Sequence, residues 1–179
     1  MEYQRIIDFW FREIEPWQWW VDDGEFDRRI ADEFRVIHEL ALQGALQAWR
    51  GDLPGRLSEI IVLDQFSRNI YRRTARAFAA DSMALSLAQD AVATKRALEL
   101  EPRYRQFLYM PYMHSESPQI HNIAVELFSE PGLERSLRSE LAHKAIIDRF
   151  GRYPHRNAML GRTSTQEELE FLKGLNVSF

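Results

Sequence analysis

Apolar residues recur at three- and four-residue spacing along most of the chain, and no stretch alternates apolar and polar residues in the rhythm of a strand. The pattern predicts helices throughout. A short aromatic helix is expected over 3–14. Asp22 and Glu25 stand at capping-box spacing. A long helix follows with Ile30, Phe34, Ile37, Ala41, Ala45 and Ala48 on one face, broken by Gly51, Pro54 and Gly55. Thr74 is placed to cap a helix over 75–100. Its Ala77, Ala80, Ala84, Leu87, Ala88 and Ala91 form a small-residue face. Pro102 starts a helix ending near Pro111. Ser117 followed by Pro118 reads as a cap and first-turn proline opening 119–128. Pro131-Gly132 ends that helix, Gly151 closes one over 133–150, and Thr165 with Glu168 forms a capping box for 167–173.

The segment from 57 to 71, LSEIIVLDQFSRNIY, differs from the others. In helical register Leu57, Ile60, Ile61, Asp64, Arg68 and Tyr71 form one stripe, while Val62, Leu63, Phe66 and Ile70 cover much of the remaining surface. A helix apolar nearly all round is a buried helix. Asp64 and Arg68 are therefore expected away from bulk water, where a charge needs a partner. They are four residues apart, in the favourable order for an ion pair.

The predicted architecture is all-α: about eight helices in one domain over 1–179, packed as antiparallel pairs like a tetratricopeptide array. A clean repeat of about 34 residues is not visible. A chain of 179 residues buries roughly 70% of its unfolded surface and needs no covalent staple. It has no cysteine, which excludes disulfides and thiolate metal sites. Apolar runs fall short of the ~18 residues of a membrane span, and the N-terminus lacks the form of a secretion signal. A cytoplasmic location without membrane association is the simplest expectation. Net charge is −4, so nucleic acid is not an expected partner. Twenty cations are Arg and three Lys. A GC-rich genome accounts for the total, and the positions carry more information.

Three segments concentrate polar chemistry. The first, 63–73, holds Asp64, Gln65, Arg68 and Asn69, followed by Arg72, Arg73 and Arg76. The second, 108–116, is a Met- and aromatic-rich turn delivering His114, Ser115 and Glu116 to a helix boundary. The third, 143–168, holds His143, which shares a face with Ile147 and Phe150, then Arg149, Arg152, His155, Arg156, Asn157 and Arg162. It is a cationic block in an acidic protein. Trp17, Trp19 and Trp20 are expected as core for the first helix, with an aromatic lip for a ligand or peptide as the alternative. No histidine spacing supports a metal centre, Ser115, Ser164 and Thr165 lack a nucleophile-elbow context, and no Walker or dinucleotide loop is present. No metal or cofactor is expected.

LDQFSRNIYR (63–72), PYMHSE (111–116) and RFGRYPHRNAMLGRTSTQEE (149–168) closely resemble the hallmark segments of the bacterial family called domain of unknown function 924. The FWF at 9–11 and the WQWW and FD further on resemble its opening. Ser67 and Tyr71 stand where that family commonly has Pro and Phe. The resemblance covers essentially the whole chain and implies an all-α, tetratricopeptide-like fold. It implies no activity, and no catalytic residue is carried over.

Two functional classes follow from the residues themselves. In the first, an internal pocket takes a small phosphate- or carboxylate-bearing ligand. Gln65, Arg68, Asn69, Glu116, Arg152, His155, Arg156 and Asn157 are its binding candidates. Asp64, His114 and His143 are its acid–base candidates, since histidine ordinarily titrates near ~6.5. In the second, the chain is a noncatalytic scaffold presenting a groove to a peptide or protein, and the polar motifs lock the array. Whether the chain is an enzyme, and its oligomeric state, are left open by the sequence.

Overall fold

The structure, a computed structural model, describes residues 2–174. Among them eight helical rods follow one another with no strand between. Helix α1 (Gln4–Asp8) continues as a π turn, Phe9–Glu13. Helix α2 is Gly24–Leu42. Helix α3 runs Leu53–Ile61, widens into a π turn over Val62–Phe66, and resumes over Ser67–Ile70. Helices α4 (Asp81–Ala93), α5 (Pro102–Met113), α6 (Pro118–Phe128), α7 (Glu134–Phe150) and α8 (Gln166–Gly174) complete the order.

Several helix ends follow their sequence signals. Gly151 closes α7 at φ +67°, a left-handed position suited to glycine. At the start of α8, Glu168 N donates to Thr165 Oγ1 at 3.2 Å and Thr165 N to Glu168 Oε2 at 2.7 Å, the reciprocal bonds of a capping box. Other ends differ. Asp23, not Asp22, caps α2, accepting from Glu25 N at 2.8 Å. Helix α2 stops at Leu42 and Gly44 turns the chain at φ +70°, so Ala45 and Ala48 lie beyond it. The helix expected over 75–100 is three pieces: a 3-10 turn at Ala75–Phe78, α4, and a 3-10 turn at Ala97–Glu99. Thr74 caps nothing; its hydroxyl donates to Tyr71 O at 2.7 Å. The chain leaves α4 through Lys95 at φ 60°. Asp81, placed mid-helix by the pattern, thereby becomes the first residue of α4. Helix α5 continues through Pro111 to Met113, two residues beyond the expected end.

Helix α3 is the centre of the molecule, packed by α1, α2, α4 and α5. Leu57, Ile60, Ile61, Val62, Leu63 and Phe66 are fully buried, as the pattern predicts. Each such side chain contributes roughly 1.5–3 kcal/mol of transfer free energy. Phe9, Trp10, Phe34 and Phe107 extend this core, with Phe9 and Phe34 centroids 4.7 Å apart. Trp19 joins it and donates Nε1–H to Trp10 O at 2.9 Å. Trp17 does not and is 61% exposed, while Trp20, 46% exposed, stacks on Phe107 from outside with ring centroids 6.0 Å apart. A smaller apolar cluster of Ile146, Ile147 and Tyr153 joins α7 to the turn before α8, with Phe150 and Phe171 against it. No helix among the described residues is long and apolar enough to cross a membrane.

Candidate functional site

The π turn in α3 holds Asp64 and Gln65. A π turn inserts an extra residue into the helical ladder and often occurs at functional sites. Asp64 is 1% exposed and fully partnered. Its Oδ1 accepts from His114 Nδ1 at 2.7 Å and lies 3.1 Å from Arg68 Nη1. Its Oδ2 accepts from Gln65 Nε2 at 2.6 Å. Burial alone would raise the Asp64 pKa, but Arg68, His114 and Gln65 hold it well below the usual carboxylate range. An ionised Asp64 fixes the proton of neutral His114 on Nδ1. His114 itself is pushed below its ordinary value by burial and by Arg68, against the pull of Asp64.

Arg68 reaches from Asp64 to a carboxylate on the next helix. Its Nη1 donates to the Asp64 carbonyl at 2.8 Å and lies 3.0 Å from Asp81 Oδ1. Asp81 Oδ2 also accepts from Arg156 Nη1 at 3.0 Å. Arg156 Nη2 donates to the His114 carbonyl at 3.0 Å, and its guanidinium lies 4.6 Å from the ring centroids of both Phe78 and Tyr153. The three polar segments therefore meet in space, joined through Asp81. Sequence reasoning missed that residue because it read 75–100 as one helix.

Beside this centre Glu116 forms a two-point pair with Arg162, at 2.6 and 2.9 Å, and accepts from Tyr153 N at 2.7 Å. Burial would raise Glu116, but Arg162 and the Tyr153 amide bring it below its ordinary value. Tyr153 donates its hydroxyl to Met113 O at 2.5 Å. Behind the His114–Glu116 turn, buried His121 places Nε2 2.8 Å from Ser115 O and Nδ1 2.6 Å from buried Glu140. Burial raises Glu140, with His121 opposing. Neither His121 nor Glu140 stood out in sequence, where no motif joins them.

Of these side chains, Asp81, His114, Glu116 and Arg156 line a cleft of about 360 Å³. Asp81, Ser82, His114, Ser115, Glu116 and Arg156 form its polar end, and Ala75, Phe78, Ala79, Leu85, Pro111 and Leu160 its apolar walls. His114 Nε2 has no hydrogen-bond partner among the described residues and is not sealed off. The imidazole thus has one nitrogen on a carboxylate and its other face on the cleft.

The remaining candidates sit elsewhere. Asn69 donates to Asp27 at 2.8 Å, beside the two-point Arg72–Asp27 pair on α2. Arg152 and Asn157 both bind Glu168, the first through two bonds of 2.7 and 2.8 Å. They fasten α8 rather than line the cleft. His143 and His155 flank the Tyr153 ring, at centroid distances of 5.7 and 5.3 Å. Burial takes each down to about 4, with Arg156 next in importance for His155. The arginines of the cationic block pair with acids at its own C-terminal end, Glu167 on Arg149 and Glu168 on Arg152, and with two distant in sequence, Asp81 on Arg156 and Glu116 on Arg162. Among the described residues no group of three or more acids and histidines is arranged to hold a metal ion.

The chain is similar over 96% of its length to a solved protein of unknown function from Agrobacterium tumefaciens, with 33% identity, 96% of that chain covered and a TM-score of 0.91. No curated protein matches it. The sequence model for a family described as bacterial protein of unknown function (DUF924) matches residues 6–175, and the chain belongs to that family.

Proposed function

We propose that the cleft floored by His114 binds a small phosphate- or carboxylate-bearing molecule, with His114 as its acid–base group. The observation that carries this reading is the division of the His114 ring, with Nδ1 held by Asp64 at 2.7 Å and Nε2 left to the cleft. A neutral, oriented imidazole beside a cleft can take a proton from a bound hydroxyl, amine or water. Arg156 at the same wall, with Arg68 behind it, supplies planar forks suited to an oxyanion. The apolar walls suit a ligand with a short hydrophobic body.

Thermal denaturation in the presence of inorganic phosphate, phosphorylated metabolites, small carboxylates, nucleotides and divalent metals tests this. A ligand at ~100 times its Kd adds ~2.7 kcal/mol, or about 5–10 °C for a domain of this size. A selective shift from one anion class, reduced in His114→Gln, supports the reading. No shift from any anion overturns it.

The alternative is a noncatalytic scaffold for a peptide or protein, and it too has an observation in its favour. Arg68 and Arg72 of the first segment and Arg152, Arg156 and Arg162 of the third already hold carboxylates of this chain. Trp17 and Trp20 would then be the contact side chains. This reading expects no small-anion shift, and partner binding that Trp17→Ala weakens and His114→Gln leaves unchanged.

A further inference from the structure

Two arginines from different parts of the chain converge on one carboxylate at the edge of the cleft. Asp81 touches Arg68 at 3.0 Å and Arg156 at 3.0 Å. Asp64, the other carboxylate on Arg68, is sealed, but the Asp81 side chain is 18% exposed and lines the cleft. Both guanidinium groups are fixed independently of Asp81. Arg68 is bound to the carboxylate and carbonyl of Asp64. Arg156 is stacked between Phe78 and Tyr153 and bonded to His114 O. Its Nε, buried, has no hydrogen-bond partner. Asp81 is also the first residue of α4, a 13-residue helix whose start has no side-chain cap.

Resting on the small-anion reading above, we propose that Asp81 is an internal placeholder: the oxyanion of the ligand displaces its carboxylate and takes over the Arg68 and Arg156 forks. With Asp81 in place, two arginines face two carboxylates and the cluster is neutral. With Asp81 turned out, the cluster carries one net positive charge beside the positive end of a helix dipole. Phosphate suits this setting better than carboxylate, because it can accept from two forks and a helix start in different directions. No bond is made or broken; one anion exchanges for another. The placeholder keeps the buried guanidinium groups paired while the cleft is empty, and it sets affinity, since a ligand must compete with a tethered carboxylate.

Calorimetric titration of the full chain with inorganic phosphate, and with acetate as the carboxylate arm, is the test. Asp81→Asn keeps the size of the side chain and removes its charge. It should bind phosphate at least roughly tenfold more tightly than the wild type, because a competing unit charge beside the site is gone. Phosphate should also recover, in denaturant titrations, much of the stability that Asp81→Asn loses. A stronger gain for acetate than for phosphate would make a carboxylate the ligand class and keep the exchange. Wild-type phosphate binding that Asp81→Asn leaves unchanged or weakens overturns the placeholder while the cleft remains an anion site. No binding by either protein overturns both. Should Asp81→Asn fail to fold, wild-type crystals soaked in phosphate decide the matter. An anion on Arg156 Nη1 with Asp81 rotated away supports the exchange, and phosphate elsewhere, or none, with the Asp81–Arg156 contact intact, overturns it.

Discussion

Asp64 and His114, fifty residues apart, face each other across 2.7 Å between the π turn of α3 and the end of α5. This contact orients an imidazole and also closes the core, since Asp64 has no water to fall back on.

Removing Asp64 therefore leaves Arg68 and His114 without their buried partner. Asp64→Ala should lower unfolding free energy by about 3–5 kcal/mol, read from urea titration with circular dichroism. Asp64→Asn adds a second readout. The carboxylate favours the protonated His114 while Arg68 opposes it, so its loss should move the His114 titration further below its wild-type position. A ¹H–¹⁵N titration showing an upward move would refute this account of the charge balance.

Tyr153 ties the third segment to the end of α5. Its hydroxyl donates to Met113 O and lies 3.2 Å from His121 Nε2. Tyr153→Phe keeps the ring and strands the Met113 carbonyl, at an expected loss of about 1–2 kcal/mol in chemical denaturation. A change within error would mean that the carbonyl finds another donor.

Two glycines give a steric test of the approach to α3. A Cβ on Gly55 would lie 2.0 Å from the Trp49 carbonyl oxygen, whereas one on Gly51 meets nothing within 4 Å. The atom struck is backbone and cannot swing aside. Gly55→Ala should cost about 1–3 kcal/mol or more, and Gly51→Ala close to nothing, in paired thermal melts. Equal melting temperatures would show that the turn at Gln47–Gly51 is softer than its geometry implies.

Acid should weaken the fold well before its carboxylates titrate. His38, His143 and His155 are each taken down to about 4, burial being the first cause in every case and Arg76 the next for His38. Unfolded histidine takes its proton near ~6.5. Between these values the unfolded chain binds the extra protons, so stability falls as pH drops from about 6.5 to about 4. Glu140, raised by burial, acts in the opposite sense: its contribution is present at low pH and lost as pH rises through its folded value. Asp64, held low, adds a further loss only in stronger acid. Melting temperature followed across this range should decline steeply on the acid side. A flat profile would mean that the three rings are reached by water.

The sequence was most readable where one residue settles one local geometry. Gly151 and the Thr165–Glu168 box mark their helix ends because a left-handed turn or a reciprocal cap needs particular side chains. Burial of the segment from Leu57 to Phe66 was legible because a helix without a polar face has nowhere else to go. The break before Asp81 was not legible, since Ala79 and Ala80 carry no turn signal. Nor was the division of Asn69 from Arg68. One residue around a helix is about 100°, enough to send the first to Asp27 and the second toward the cleft. The partners of Arg156 and Arg162 in the cationic block were not legible because their acids lie far off in sequence, Asp81 75 residues from Arg156 and Glu116 46 from Arg162.

The π turn at Val62–Phe66 has a consequence for how the chain tolerates change in length. An added residue in a helical ladder is an insertion that the helix absorbs without ending. Deleting one residue there would restore a regular rod of nearly the same length and hydrophobicity, and would turn everything beyond it by about 100° relative to what precedes it. Asp64 and Arg68 could then no longer both meet α4 and α5 while Leu57 and Ile60 keep their places. Relatives that share this cleft should accordingly vary in residue identity between 62 and 66 far more readily than in residue number.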